Sequence, residues 1–454
     1  MTGQYDLTKG KVSKKLILVA LPLIGSQLIQ MTYNLTDMFW LGRLSSEAVA
    51  ASGTVGMYIL LSLSVMLIGR MGAEIGVAQY IGSGKKDIAE MYAKNSLWLA
   101  TLVGILLASL YAFGRSPLIA FFKIQELNVS LAAELYLLII AIGIPFTFIT
   151  AVVTGIYNGN GNAKVPFKIN CVGISINIIL DPLLIFTFKM GIAGAAIATI
   201  VAQIVTCILS IFSLIHSRNS PFKNFETILV PSKKYLSQIL KWSVPIAIEG
   251  FLFTFISMIV SRFVASYGAD AISAQRIGSQ IENLSWLIGG AFSSALTAFI
   301  GQNYGAQKLD RINSGFKSGV LIMAIWGLFV AALMFFGAHL IFNFFLPNDT
   351  EASLIGVLSL KILAVSQLFI CFESAAIGAF RGIGKTFQPS IISALTNIFR
   401  VLLAYLLMRT SLGLNGIWIS LSVGSIIRGL WMLIAYIITS KTHFKYFKRE
   451  SKYS

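Results

Sequence analysis

Charge is what this chain has least of: Asp, Glu, Lys and Arg together make up 12% of its 454 residues, about half the share found in ordinary soluble domains. Set against 56% hydrophobic residues and a mean hydropathy of +0.80, that shortage excludes a soluble globule. Cysteine is nearly absent. Cys171, Cys207 and Cys371 all fall inside apolar runs with no close pair, so neither a disulfide framework nor a CxxC metal site is indicated. His216, His339 and His443 are scattered at helix ends, so no histidine relay or metal cluster is visible. There is no Walker sequence, nucleophile elbow or zinc motif, so an ATP-driven pump or membrane hydrolase would need its chemistry from another chain. The reading is therefore of a non-enzyme with no cofactor.

What is present is a series of runs of about 20 apolar residues, each long enough to cross some 30 Å of hydrocarbon as a helix. Twelve are expected, at 15–41, 49–81, 94–114, 131–156, 165–188, 191–215, 236–263, 270–301, 316–345, 353–380, 388–409 and 414–440. The fold class is an all-α polytopic membrane protein. The net charge of +17 does not point to nucleic acid, because the basic residues collect in alternate connections. One set holds Lys9, Lys11, Lys14 and Lys15, then Lys85 and Lys86, Lys164 and Lys168, Arg218, Lys223, Lys233 and Lys234, Lys308, Arg311 and Lys317, Arg381 and Lys385, and Lys441, Lys445, Lys448, Arg449 and Lys452. By the positive-inside rule that side, with both termini, is cytoplasmic. The first run is too long for a signal peptide and carries Asp37.

Two halves repeat at a nearly constant offset of 223. Pro22 falls on Pro245, Glu47 to Ala51 on Asp270 to Ala274, and Gln79-Tyr80-Ile81-Gly82 on Gln302-Asn303-Tyr304-Gly305. Gly159, Gly161 and Pro166 fall on Gly382, Gly384 and Pro389, and after a small gap Gly191 to Gly194 fall near Gly413 to Gly416. The expected organisation is an amino-terminal lobe over 1–215, a linker over 216–235 and a carboxyl-terminal lobe over 236–454. Six helices per copy give both copies one orientation. This is the parallel repeat of transporters that work around a central cavity.

The stretch Tyr33-Asn34-Leu35-Thr36-Asp37 places a carboxylate in the outer half of the first helix, where charge is costly and usually kept for a task. Asn177 and Asp181 on the fifth helix, and Thr199 on the sixth, lie at a similar depth when the helical rise is counted along each span. Tyr33 with Asp37, and Asn177 with Asp181, are i and i+4 pairs, so each projects from one side of its helix. Two carboxylates facing one cavity repel when both are ionised, which favours a shared proton or a cation between them. The bland alternative leaves Asp37 at the outer water interface and Asp181 capping a break at Pro182. Pro22 frees a backbone carbonyl and offers a hinge in the first helix.

The carboxyl-terminal half offers secondary candidates: Glu249, Glu282, Glu373 and Arg400. Pairing of Arg400 with an acid is an expected structural lock between helices, weighed evenly with a transport role. Arg70 and Glu74, one turn apart, are expected to form a local ion pair. Asn158-Gly159-Asn160-Gly161-Asn162 and Arg381-Gly382-Ile383-Gly384-Lys385 lack the preceding strand of a nucleotide phosphate loop and read as turns.

Taken together, Thr36-Asp37-Met38-Phe39-Trp40-Leu41-Gly42-Arg43-Leu44, Asn177-Ile178-Ile179-Leu180-Asp181-Pro182 and the glycine-rich stretches 155–161 and 378–384 resemble the multidrug and toxic compound extrusion (MATE) family over nearly the whole chain. The likeness is nearer to its DNA-damage-inducible branch. The resemblance implies twelve helices in two lobes and antiport of amphipathic or cationic small molecules against protons, with sodium as the alternative ion. It places the cation site at Tyr33, Asp37, Asn177, Asp181 and Thr199, with sodium, if used, at Asp37, Asn177, Asp181 and Thr199. The expected setting is a cell membrane, with the lipid bilayer and small-molecule drugs or toxic metabolites as partners and the protein acting as a monomer. The rival reading is a flippase for a lipid-linked oligosaccharide, which would line its cavity with more Arg and Lys.

Overall fold

The computed structural model describes residues 6–217, 220–222, 225, 230–346 and 350–450. Parts of the expected linker, with its Arg218 and Lys223, and Lys452 of the basic carboxyl terminus, lie outside the described residues. The regular structure among them is helical, with no strand. The spanning helices are α1 (Val12–Leu44), α2 (Ser46–Gly82), α3 (Lys86–Phe113), α4 (Leu127–Gly159), α5 (Lys164–Pro182), α6 (Gly191–His216), α7 (Lys233–Ala265), α8 (Ala269–Gly305) and α9 (Leu309–Phe336). They continue with α10, built of two arms (Thr350–Ala364 and Gln367–Gly382), α11 (Phe387–Leu407) and α12 (Gly413–Glu450). Among the described residues eleven helices are long and apolar enough to cross a membrane, and the bent α10 pair makes a twelfth.

The chain forms two compact units. One holds Asp6 and Leu7 with Leu18–Ala247; the other holds Thr8–Ile17 with the described residues from Ile248 on. In the first unit α4 packs against α2, α3 and α6; in the second the Gln367–Gly382 arm packs against α8, α9 and α12. Each unit is thus built around one helix whose small residues admit its neighbours. A Cβ on Gly155 would lie 2.6 Å from the Arg70 carbonyl oxygen, and one on Gly378, its counterpart in the repeat, 2.5 Å from that of Ser293. The repeat is one of packing as well as of letters.

One contact keeps its place and exchanges its partners. Gly76 of α2 lies against the ring of Tyr92 on α3, whereas at the corresponding positions Phe299 of α8 lies against Gly315 of α9. The bulky side chain has moved from one helix of the pair to the other.

The ninth and tenth spans differ from the sequence reading, the twelfth runs on to Glu450, and the fifth breaks at Pro182, where the sequence marked a discontinuity. The ninth, expected over 316–345, stops at Phe336, and Ala338–Phe345 is a separate short helix. Gly337 sits at this break, and a Cβ there would be 2.4 Å from the Leu333 carbonyl; Gly114 makes the same stop after α3. Apolar composition on both sides hides the break. The tenth span bends by 47° between its arms, without proline or glycine. Ser366 Oγ and Gln367 Nε2 both donate to the Leu363 carbonyl, at 2.8 and 3.0 Å, and take up a helix acceptor. The fifth span leaves α-geometry after Pro182 and finishes as a π-turn over Leu183–Thr187.

The two glycine-rich stretches are turns. Gly161 and Gly384 have φ of +82° and +75°, left-handed values that favour glycine. In the second unit Lys308 Nζ donates to the Thr8 carbonyl at 2.9 Å, and Arg311 Nη1 to that of Gly10 at 2.9 Å, holding the start of the chain.

Candidate functional site

The first unit brings the predicted site residues together from three helices. Tyr33 and Asp37 stand one turn apart on α1, Asn177 and Asp181 one turn apart on α5, and Thr199 on α6. The Thr199 hydroxyl is the meeting point: it lies 3.2 Å from the Tyr33 phenol and accepts from Asn177 Nδ2 at 3.5 Å. Asn177 Nδ2 also donates to Asp181 Oδ1 at 3.2 Å. Asn177 and Asp181 are fully buried and Thr199 nearly so.

Asp181 therefore faces its own helix neighbour and the site, and does not cap the break at Pro182. The break follows from Pro182 itself, which cannot donate to a carbonyl four residues back. The widened turn Leu183–Thr187 takes up the misfit.

Three oxygens of the cluster have no hydrogen-bond partner although buried: Asp37 Oδ1, Asn177 Oδ1 and Asp181 Oδ2. The two carboxyl groups interact electrostatically with each other and with the phenols of Tyr33 and Tyr136. An unsatisfied buried acceptor costs about 1–3 kcal/mol, and more when it carries charge. A set of oxygen acceptors without hydrogen-bond donors to answer them is suited to a proton or a hard cation. No group of three or more His, Cys, Asp or Glu side chains able to hold a metal occurs among the described residues.

Tyr136 of α4 is the member that sequence reasoning missed. It is buried, 4% exposed. Its one sequence signal is a tyrosine in a nearly unbroken apolar helix, a weak mark without a polar residue one turn away. Pro22 lies within α1, which stays continuous as a helix.

In the second unit the secondary candidates lie near one another, with Glu373 and Arg400 buried and Glu249 and Glu282 half-buried, but with different pairing. Among the described residues Arg400 forms no ion pair within 4 Å, although Glu282 and Glu373 lie in electrostatic range of it. Glu373 instead pairs with Arg428 at 2.8 Å, and Arg428 Nη1 also donates to Asn397 Oδ1 at 3.0 Å. The reason is placement: Arg428 on α12 reaches the Gln367–Gly382 arm, whereas the Arg400 side chain runs alongside Gly424 and its guanidinium lies 5.9 Å from the Phe253 ring. Glu249 accepts from Ser390 Oγ at 2.9 Å. Glu282 is in electrostatic range of both arginines. The Arg70 and Glu74 pair forms as expected, at 3.8 Å.

Comparison with known proteins agrees with this architecture. The MatE family model matches twice, over residues 22–183 and 245–406, so the two matches stand in the register of the internal repeat. A second model, lipid II flippase MurJ, matches residues 126–273. The chain is 27% identical over 433 residues to the probable multidrug resistance protein NorM of Thermotoga maritima, covering 94% of this chain and 92% of that one. It is 23% identical over 444 residues to the multidrug export protein MepA of Staphylococcus aureus, with 96% of each covered. A crystal structure of MATE in the bent conformation superposes with a TM-score of 0.92 at 22% identity, over 100% of both chains. With both halves matched by one family model and the whole chain following its fold, this multi-pass membrane protein belongs to the MatE family, the multidrug and toxic compound extrusion transporters.

Proposed function

We propose that the protein is a secondary active multidrug exporter that moves amphipathic or cationic small molecules out of the cell in exchange for protons, with sodium as the alternative coupling ion. The carrying observation is the set of buried, unpartnered oxygens on Asp37, Asn177 and Asp181, with Asn177 linking Asp181 to Thr199 and so to Tyr33, and Asp37 one turn from Tyr33 on α1. Such a set is costly when empty and favourable when loaded, so ion binding and release there can drive a cycle. The names of the relatives, multidrug resistance and multidrug export proteins, support the substrate class. The concentration of unpaired acid in the first unit supports the branch in which that lobe does the coupling, and protons ahead of sodium. The lysine-rich connections support cytoplasmic termini. Pro22 is the hinge through which α1 would pass a change at Asp37 along its length.

The experiment is efflux from proteoliposomes under an imposed pH gradient or an imposed sodium gradient, with wild type, Asp37→Asn and Asp181→Asn compared. Asp37→Asn is expected to abolish gradient-driven efflux, and Asp181→Asn to weaken it with the protein still folded. Full gradient-driven efflux by Asp37→Asn would sink the coupling role, and dependence on sodium alone would overturn the proton preference. The MurJ match favours a second reading, flipping of a lipid-linked sugar. Against it, the first-unit site presents carboxylates and hydroxyls where a pyrophosphate would call for guanidinium or ammonium groups. Translocation of a labelled lipid-linked oligosaccharide in the same vesicles separates the two.

A further inference from the structure

Away from that cluster, the first unit holds a groove of about 440 Å³ between the start of α5 and the end of α6. Its polar end is formed by Asn162, Lys164 and Lys168, its apolar wall by Val172, Leu209 and Phe212, and among the described residues no acidic side chain lines it. Asn162 comes from the asparagine-rich turn that carries no nucleotide chemistry. It is fully buried, and neither its Oδ1 nor its Nδ2 has a partner. No side chain caps the N-terminus of α5, so its first N–H groups add the positive end of a 19-residue helix.

The spacing separates the two chemistries by depth. Lys164 and Lys168 are one turn apart at the head of α5, and Val172 is a further turn along, about 12 Å from Lys164 by the helical rise. Leu209 and Phe212 sit on the last turns of α6 alongside. Lys164, Lys168, Val172 and Phe212 are exposed, so both the cationic end and the apolar wall face the surroundings of the protein. A free phosphate would use the first and leave the second bare. A phosphate tethered to acyl chains uses both.

We propose that this groove is a binding site for an anionic phospholipid, its phosphate among Asn162, Lys164 and Lys168 and an acyl chain along Val172, Leu209 and Phe212. Lipid held there bridges α5, which carries Asn177 and Asp181, to α6, which carries Thr199.

The test is native mass spectrometry of the purified full-length protein with equimolar phosphatidylglycerol and phosphatidylcholine. Wild type is expected to retain phosphatidylglycerol preferentially. Lys164→Gln with Lys168→Gln should lower that retention about tenfold, whereas Lys85→Gln with Lys86→Gln, two exposed lysines of another turn, should leave it unchanged. Asn162→Leu should also lower retention with both lysines in place; if this buried substitution prevents folding, Asn162→Ser is used instead, with the same expectation. Equal loss in the Lys85 and Lys86 variant would show diffuse surface charge and overturn the site. So would equal retention of phosphatidylcholine, unchanged retention in the folded Asn162 variant, or displacement of the lipid by millimolar inorganic phosphate.

Discussion

Replacing Thr199 by valine removes one hydroxyl from the coupling cluster and almost no volume. That hydroxyl ties α1 to α5 by way of α6, through a 3.2 Å contact with Tyr33 and a 3.5 Å contact with Asn177. The longer contact is at the edge of hydrogen-bonding distance and contributes little. Most of the loss is therefore the Tyr33 phenol, left in the protein without its partner. Stranding a buried polar group costs about 1–3 kcal/mol. If that cost falls on the ion-loaded arrangement, affinity for the coupling ion drops about 5- to 150-fold. The assay is the initial rate of drug efflux from proteoliposomes as a function of proton or sodium concentration, with Thr199→Ser as the control that keeps the hydroxyl. The expected result is a shifted ion dependence for valine and a near-normal one for serine. A valine variant with wild-type ion dependence, correctly folded and inserted, would refute the idea that Thr199 organises the site.

Other outcomes follow from the same packing. Tyr136→Phe should leave the melting temperature within a few degrees of wild type while lowering ion affinity several-fold, as read in the same efflux assay, because it removes a phenol that interacts with both carboxyls. Gly155→Ala and Gly378→Ala should each destabilise by about 1–3 kcal/mol, seen as earlier thermal loss of the monodisperse peak in detergent, since the new methyl meets a carbonyl oxygen at 2.6 and 2.5 Å. Gly56→Ala, which meets nothing within 4 Å, should be neutral or stabilising in that measurement. Arg428→Met should cost about 3–5 kcal/mol by leaving Glu373 buried and unpaired, and adding Glu373→Met should recover much of it. No recovery in the double variant would mean that the pair does not act as a unit.

The fold was legible wherever its cause is a pattern that repeats. Apolar runs marked the spans, and the offset that carries Pro22 onto Pro245 coincides with the spacing of the two family matches. Tyr33, Asp37, Asn177, Asp181 and Thr199 were legible as a set because polar groups in hydrocarbon are costly, and helical spacing gives each a face and a depth. Tyr136 carried no such mark, because its neighbours one turn away are apolar and its placement is decided by how α4 packs. Arg428 was equally hidden. Both arginines sit on apolar helices, and only the packing of α12 against the Gln367–Gly382 arm makes Arg428, and not Arg400, the partner of Glu373. No residue type in the sequence marks the bend in α10, because serine and glutamine side chains take up its backbone acceptor, and these are unremarkable residues in most helices.

The exchange of Gly76 and Tyr92 for Phe299 and Gly315 bears on how the two copies could have diverged. Neither arrangement reaches the other by one substitution without passing through a pair of rings in conflict or a pair of glycines facing a void. The heritable unit at this contact is the two-helix pair, not either helix. A chimera that transplants α8 into the place of α2 alone would set a phenylalanine against Tyr92, whereas transplanting α8 and α9 together would carry a matched contact. At this contact, exchange between the lobes would have to proceed by the hairpin, and the two lobes differ in which helix of it carries the bulk.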